Sequence, residues 1–499
     1  MSADRLNDAM PARQLLARWV LVGQAKLETA AHLGSEANER VDMPVLRDTL
    51  SGQPLLPGTT LAGALRNALA DYLGGYRSAE ALEVADLFGG QRADDLGVQS
   101  PLIVFDAIGA LPEGLGVETR DGVAIDPSTG IAEHRKKYEY EVLPAGTTFD
   151  IRCDLLVPDY GIGEHALVSL WATALEAFFS DGHLGARRSR GLGRLAASGW
   201  NAVRYPLDAQ IGWLHWAKSD HRNPVRISHS DSIPPRAVLQ RHLPAGQPEL
   251  TLPNDHRKRL QLDLHLHPQE DVLIRSPGDD PSAPEVVHLS SGGQAVLPGT
   301  SVAGAMRSRA LRIARIVRTA EGDADAWVDR LFGPRFIGQR PPPDFTLQAS
   351  PLQVGEAPIL EASPRHQTRI AVDRFTQAPV DTALFEEQTS QGGQVRLRLT
   401  LKEPDLATTG LLLLVVRDLL DGSLPVGGAA NVGRGWFTGA GELTWPIGNG
   451  ETPPRMHLNP VEPLAPKAAQ HIDEAIAAFG NAPPLTCAEP STTTAEPSE

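Results

Sequence analysis

The sequence contains little cysteine, and it lacks any apolar run long enough to cross a membrane. Of 499 residues only Cys153 and Cys487 are cysteine, and neither lies in a CxxC or Cys/His spacing. This excludes a disulfide framework and a cysteine zinc site. The longest apolar run, residues 410–416, is far too short for a bilayer, and no signal-peptide segment opens the chain. We therefore expect a soluble protein of a reducing cytoplasm, without a membrane partner.

Positive charge is also scarce, because 46 Lys and Arg residues face 61 Asp and Glu residues and give a net charge of −15. A protein without a global basic field is a weaker candidate for nucleic-acid binding, although a local basic groove is enough for phosphate contacts. GxxxxGK[ST], HExxH and GxSxG motifs are absent. Nucleotide hydrolysis, zincin chemistry and serine hydrolysis therefore have no support.

What the sequence does contain is an internal repeat. Residues 44–73 read PVLRDTLSGQPLLPGTTLAGALRNALADYL, and residues 284–312 read PEVVHLSSGGQAVLPGTSVAGAMRSRALR. Further matches follow in the same order, and such order indicates two copies of one domain. They are PGT at 57–59 and 298–300, LFG at 87–89 and 331–333, SPL at 100–102 and 350–352, and glycine loops at 185–194 and 427–435.

The repeat predicts the boundaries of the domains. We expect a first domain at 1–205 with a turn-rich hairpin at about 118–146, and a second at 256–450 with its hairpin at about 365–393. Residues 206–255 read as a connector that packs on either domain, and residues 451–499 as a largely disordered tail. Thr59 or Thr60 is the expected N-cap of the helix that follows Pro57.

Asp42 is a lone carboxylate directly before the apolar segment MPVL. A lone carboxylate can hold a divalent cation near a phosphate or orient a hydroxyl, or it can cap the backbone of its own loop. In the second repeat, counting back from Pro298 places Ala283 opposite Asp42. Asp279 and Asp280 lie just upstream, and a shifted loop would present one of them.

Arginines and glycines cluster in one loop of each repeat. Glycine lets backbone N–H groups approach a phosphate closely, whereas a solvated charge run is the ordinary alternative. The first loop contains Gly185, Arg187, Arg188, Arg190, Gly191, Gly193 and Arg194, and the second contains Gly433, Arg434 and Gly435.

Other basic residues lie on the hairpin and on the repeated helix. His134, Arg135, Lys136 and Lys137 would follow a duplex backbone or keep a hairpin soluble. Arg66 matches Arg307 on the helices. Asp126 and Asp373 are expected to be turn residues and not catalysts. His32 is either a structural histidine or an RNA contact, with an acid/base role also open.

These motifs resemble a known family. The string VDMPVLRD at 41–48, then SGQP at 51–54 and LPGT at 56–59, resembles the front of RAMP superfamily backbone subunits of type III CRISPR effector complexes. The hairpin at 118–146 resembles that family's thumb, and the loop at 185–193 its glycine-rich signature. A chain with two such units resembles the tandem subunits of the type III-D branch.

The resemblance implies an α+β fold of two tandem modified ferredoxin-like (RRM-like, βαββαβ) domains, each with a thumb hairpin. It implies a prokaryotic, cytoplasmic partner of crRNA, target RNA and the other backbone, large and small effector subunits. It also implies metal-dependent cleavage of target RNA, with Mg²⁺ or Mn²⁺ held by Asp42 and the target's 2′-hydroxyl as nucleophile. The second unit is expected to bind RNA without cutting it.

The same resemblance assigns RNA contacts, and it leaves two other functions open. A non-catalytic structural subunit and a general RRM-like RNA-binding adaptor remain alternatives. The predicted RNA contacts are His32, Arg66, Arg120, Arg135, Lys136, Lys137, Gly185, Arg187, Arg188, Arg190, Gly191, Gly193, Arg307, Arg369, Gly433, Arg434 and Gly435.

Overall fold

The computed structural model describes most of the chain. It covers residues 14–35, 42–76, 78–90, 99–126, 129, 131–228, 233–277, 283–318, 320, 322–335, 349–445 and 455–485, with backbone alone at 133–136 and 381–383. The expected N-terminal fraying and the alternatives Asp279 and Asp280 therefore lie outside the described residues.

The chain forms two compact units. The first comprises the described residues up to Arg120, then Tyr138–Arg188 and Leu192–Arg257; the second comprises Asp121–Lys137, Ser189–Gly191 and the described residues from Lys258 onward.

The elements up to Arg257 alternate short strands and helices. They are β1 Leu15–Leu27, β2 Leu55–Leu56, α1 Gly58–Gly74, α2 Leu82–Phe88, β3 Leu102–Val104, β4 Ala107–Ala110, β5 Glu118–Ile125, β6 Ala132–Val142, β7 Thr148–Pro158, α3 Glu164–Asp181, β8 Leu195–Pro206, α4 Gln210–Lys218 and α5 Pro235–Gln240.

The later elements follow the same order, with three additional short strands near the start and with a strand and a helix at the end in place of α4 and α5. They are β9 Arg259–Pro268, β10 Arg275–Pro277, β11 Val286–His288, β12 Ser290–Ser291, β13 Gln294–Leu297, α6 Gly299–Val317, α7 Asp323–Phe332, β14 Leu352–Val354, β15 Ala357–Leu360, β16 Ser363–Val372, β17 Pro379–Gln391, β18 Gln394–Lys402, α8 Leu406–Leu420, β19 Phe437–Thr444, β20 Arg455–Leu458 and α9 Pro466–Asn481.

Each unit is built on an antiparallel sheet. In the first unit the strand order is β2-β4-β7-β1-β8, with β3 also on β7. The central strand β1 is buried along most of its length because α1 and α3 cover one face of the sheet, while Val20 and Val22 on the other face pack with Tyr205 and Leu207. Leu65 of α1 and Trp171 of α3 lie in this core and are fully buried.

The second unit has the same plan. Its strand order is β12-β13-β15-β18-β9-β19-β20, with β14 also on β18. Helices α6 and α8 bury Met306 and Leu412 in the equivalent core. The prediction of two tandem α+β domains is therefore confirmed.

Both turn-rich excursions are β-hairpins. Strands β5 and β6 form a two-stranded sheet, and β16 and β17 pair antiparallel within the sheet β10-β11-β17-β16. Asp373 is a turn residue as predicted, because its Oδ1 accepts the N–H groups of Phe375 and Thr376. These bonds, led by that from Thr376, lower the pKa of Asp373 below its ordinary value.

One expectation about the connecting segments is corrected. The expected connector packs on the first unit, one of the two alternatives, and Val238 and Leu239 of α5 are buried in its core. The tail contains a strand and a helix, and is not largely disordered between residues 455 and 481. Helix α9 folds onto the second unit because Ala475 and Phe479 form an apolar stripe that its composition concealed.

The start of α1 also differs from expectation. The N-cap residue is Pro57, which makes no side-chain cap bond. Instead, the N–H of Gly58 donates to Oδ1 of Asp106 at 2.6 Å. A distant carboxylate therefore satisfies the helix terminus, and the two threonines do not act as its N-cap.

Gly58 and Gly63 allow a matched test of this packing. A Cβ at Gly58 would lie 2.1 Å from the carbonyl oxygen of Val104, whereas a Cβ at Gly63 would meet nothing within 4 Å. We expect Gly58→Ala to destabilise the chain by about 1–3 kcal/mol through overpacking. Gly63→Ala, in the same helix, should stabilise it by about 0.5–1 kcal/mol. Urea unfolding measures both, and equal midpoints for the two variants would contradict the packing described.

Candidate functional site

Asp42 lies against the return strand of the first hairpin. Met43 forms a parallel bridge with Tyr140, and the N–H of Glu141 donates to the carbonyl of Met43 at 2.9 Å. One residue earlier, Oδ2 of Asp42 accepts the N–H of Glu139 at 3.1 Å. The side chain of Asp42 is exposed. It therefore caps the backbone of the hairpin, not that of its own loop, and it faces solvent at the hairpin's base.

An arginine and two tyrosines lie next to this carboxylate in the same unit. The guanidinium of Arg187 stands 5.0 Å from the ring centroid of Tyr138 and 4.5 Å from that of Tyr140. Both are cation–π distances. Asp42 accepts the N–H of Glu139, which lies between these two tyrosines on β6. The structure therefore brings the predicted site residues Asp42 and Arg187 to one region of the hairpin.

His32 is part of the support of this region. It is 5% exposed, its Nδ1 donates to the carbonyl of Glu141 at 2.7 Å, and its ring meets that of Tyr140 edge-on at 6.1 Å. The carboxylate of Glu141 accepts the N–H of Val45 at 2.9 Å and pairs with Arg47 at 3.5 Å. His32 therefore acts here as a structural histidine, and its RNA contact stays a prediction.

The arginines of the first glycine loop differ in their exposure to solvent. Arg188 is exposed, and Arg194 pairs with Glu28 at 2.8 Å. Arg190, which falls within the second unit, donates to the carbonyl of Phe332 at 3.0 Å. Burial, with a smaller contribution from Arg307, lowers the pKa of Arg190 to about 10. Sequence spacing alone could not separate the exposed arginine from the buried one.

The loop glycines are required by the chain's own packing. A Cβ at Gly193 would lie 1.8 Å from the carbonyl of Leu184, and one at Gly435 would lie 2.2 Å from that of Val426. Their conformation is therefore explained without a phosphate. The other predicted loop glycines also have positive φ: Gly185, Gly191 and Gly433.

Several other predicted contacts already have partners within the protein. Arg66 binds Glu80 through two nitrogens, and the hydrogen bond raises the pKa of Arg66. Arg307 binds Asp329, while burial lowers the pKa of Arg307. Arg120 is 2% exposed.

Lys137 is exposed and pairs with Asp121 at 3.1 Å. The side chains of Arg135 and Lys136 lie outside the described residues. The RNA contacts of all these residues stay predictions.

Backbone hydrogen bonds align the two units residue by residue. The N–H of Leu46 donates to Leu33, and that of Leu289 donates to Ile274. The next bonds of the same kind start at Leu55 and Val296, nine and seven residues later. The turn is thus two residues shorter in the second unit.

This shorter turn overturns the placement of Ala283 opposite Asp42. Val286 forms a parallel pair with Glu387, as Met43 does with Tyr140. The residue before Val286 is Glu285, an exposed carboxylate. Counting back from the helix missed it because the count assumed turns of equal length.

The same alignment shows that the side chains buried at the base of the hairpin differ in kind between the two units. In the first unit the buried set is apolar, and in the second it is polar. The first set is Ala30, Tyr140, Val142 and Leu192; the equivalent set is Asp271, Glu387, Thr389 and Arg434, each at most 4% exposed.

The polar set is internally paired. Arg434 donates to Glu387 at 2.8 Å and also binds Gln367, while Arg369 reaches the same Glu387 carboxylate at 3.2 Å. Thr389 donates to Asp271 at 2.9 Å. Two of the arginines predicted to contact RNA, Arg369 and Arg434, therefore pair with one buried carboxylate.

The side chains at this site could hold a metal ion only together with oxygen atoms from a bound RNA. Among the described residues no group of three or more His, Cys, Asp or Glu side chains is arranged to hold a metal. Asp42 offers one carboxylate, and one of its oxygens already accepts a backbone N–H. Mg²⁺ is often bound by one or two carboxylates plus substrate phosphates and water. This donor set fits a cation that shares its ligands with RNA.

Sequence reasoning missed the tyrosines and Glu141. Their signal was present as Tyr138 and Tyr140 alternating with Glu139 and Glu141 on one strand. Alternation shows that the two kinds of side chain point to opposite faces. It does not show which face the arginine loop covers.

Comparison with known proteins supports the repeat. A sequence model described as the RAMP superfamily matches residues 24–196 and again residues 266–438, together more than two thirds of the chain. No curated protein matches the chain. Within the residues that the structure describes, no helix has the length and apolarity needed to cross a membrane.

The buried ion pair of the second unit gives a stability test. Breaking such a pair from one side leaves a buried charge and costs about 3–5 kcal/mol, so Arg434→Leu should lower the free energy of unfolding by this amount. Adding Glu387→Tyr reproduces the first unit's Leu192 and Tyr140 and should recover a large part of the loss. Urea unfolding checks this. A double variant no more stable than Arg434→Leu would contradict the account.

Proposed function

Because the chain belongs to the RAMP superfamily, we propose that it is an RNA-binding backbone subunit of a CRISPR effector complex and that it cleaves target RNA at Asp42. Its partners would be crRNA, the complementary target RNA and the other effector subunits. The tandem match favours the type III-D branch, in which fused units replace separate copies.

The observation that carries the catalytic part is the position of Asp42. The exposed carboxylate of Asp42 lies at the base of a hairpin, hydrogen-bonded to the strand that carries Tyr138 and Tyr140, and Arg187 lies above their rings. Arginine and aromatic side chains together are suited to hold single-stranded RNA by its phosphates and bases. A strand bound there would present its ribose to the carboxylate.

Asp42 would have two roles in the proposed reaction. Its carboxylate would accept a hydrogen bond from the 2′-hydroxyl of the target and orient that oxygen toward the adjacent phosphorus. Arg187 would hold the phosphate by charge and hydrogen bonding. A divalent cation, Mg²⁺ or Mn²⁺, would stabilise the charge that develops on the phosphate.

A second function follows from a specific contact. Because Asp42 accepts the N–H of Glu139, its role is alternatively to fix the hairpin, with all cutting done by neighbouring subunits. The chain would then be a structural backbone subunit. Asn at this position keeps an oxygen acceptor and loses the charge, so it separates the two functions.

We expect Asp42→Asn to abolish one product of target cleavage while target binding stays unchanged. The amide can still accept the bond from Glu139, but it cannot act as an anionic acceptor for the 2′-hydroxyl. Loss of general-base catalysis typically slows a reaction by about 10²-fold or more. The measurement is the cleavage ladder of a labelled target on the complex purified with its guide RNA.

Asp208→Asn is the matched control, since Asp208 is an exposed aspartate of the same unit. It should leave the ladder intact. A complete ladder from Asp42→Asn would instead favour the structural subunit.

The exposed arginine of the loop gives a test of RNA binding. If Arg188 contacts one phosphate of crRNA, Arg188→Ala should reduce the slope of log affinity against log salt by about 0.7, the value for a single-stranded contact. The exposed Arg241 of the first unit is the control, and its replacement by Ala should leave the slope unchanged. Filter binding at several salt concentrations measures both slopes. An unchanged slope for Arg188→Ala would contradict the predicted contact between Arg188 and the RNA.

A further inference from the structure

The second unit presents a carboxylate where the first presents Asp42. Glu285 directly precedes Val286, whose parallel pairing with Glu387 repeats that of Met43 with Tyr140. Both carboxylates are exposed, and both precede a residue bridged to the return strand of a hairpin. The equivalence rests on backbone hydrogen bonds and not on residue type.

We propose that Glu285 orients a ribose 2′-hydroxyl of the target strand and gives this chain a second cleavage site. The inference rests on the proposed function, because it gives Glu285 the role of Asp42. Glutamate is one methylene longer than aspartate.

The reaction at this site needs no further reactant. The 2′-oxygen bonds to the adjacent phosphorus, and the bond from phosphorus to the 5′-oxygen breaks. The 2′-hydroxyl proton leaves by way of the carboxylate to water, and the 5′-oxygen takes a proton from water. The products are a 2′,3′-cyclic phosphate and a 5′-hydroxyl, so atoms and charge balance without oxidation or reduction.

The surroundings of the two carboxylates differ. Arg187 of the first unit is replaced by Ala429, a residue with nearly the same positive φ (58° and 59°). The position of Tyr140 is taken by Glu387, which pairs with Arg434 and Arg369. The second site therefore has less free positive charge to hold a phosphate, and we expect its cut to be slower than the cut at Asp42.

The turn between the carboxylate and the helix also differs, because the second unit is two residues shorter there. This loop runs from Glu285 past His288, whose ring is buried and whose nitrogens contact the carbonyls of Val272 and Val296. His288 thus fixes the segment that carries Glu285. The backbone three residues after Glu285 is therefore fixed by a buried side chain.

The test uses the complex purified with its guide RNA and a target labelled at its 5′ end. Glu285→Gln keeps the shape of the side chain and should remove one product, different from the product lost in Asp42→Asn, by about 10²-fold or more. Glu285→Asp should restore that product in part. A target with a single 2′-deoxynucleotide at the same position should lose the same product on the unaltered complex.

Glu442, an exposed glutamate on β19 of the same unit, is the control; Glu442→Gln should leave every product. If Asp42→Asn removes its product and Glu285→Gln removes none, the second site is overturned while the proposed function stands. If neither variant removes a product, both are overturned. Loss of the same product in both variants would also overturn the second site.

Discussion

A parallel backbone pairing at the base of each hairpin is the contact on which both candidate sites depend. In sheets that are otherwise antiparallel at their centre, Met43 pairs with Tyr140 and Val286 with Glu387 in the parallel sense. This pairing leaves the preceding residue at the edge, facing solvent beside the hairpin. The residue type there is free to vary as long as the backbone bonds are kept. A carboxylate in that position is thus available for chemistry without cost to the core.

The two units stabilise the same backbone with different chemistry. The first buries an apolar set around Tyr140 and Leu192, whereas the second buries the ion pair of Glu387 and Arg434. A buried ion pair repays its desolvation only when its geometry and hydrogen bonds are nearly complete, and here Gln367 and Arg369 supply the remaining bonds. The same two arginines, Arg369 and Arg434, are therefore part of the internal packing of the second unit.

Much of the architecture could be predicted from the sequence, because the order of the repeated motifs and the periodicity of apolar residues indicate it. The helices after Pro57 and Pro298, the two hairpins and the duplicated domain were all predicted from strings that occur twice. The site was harder. Counting residues placed Ala283 opposite Asp42 because a count cannot detect a two-residue change in a turn. Glycine at positions 193 and 435 is required by close backbone packing, which the sequence pattern did not indicate.

By itself the sequence determined the repeat and the α+β class, because these follow from the order and periodicity of local patterns, whereas Asp42 became a candidate only through the family resemblance. Only the tertiary structure decided which arginines are exposed, which carboxylate of the second unit corresponds to Asp42, and that α9 completes a core. These depend on hydrogen bonds and burial between residues that are distant in sequence. The sequence gives the charge of a side chain, but the folded structure determines which partner neutralises it.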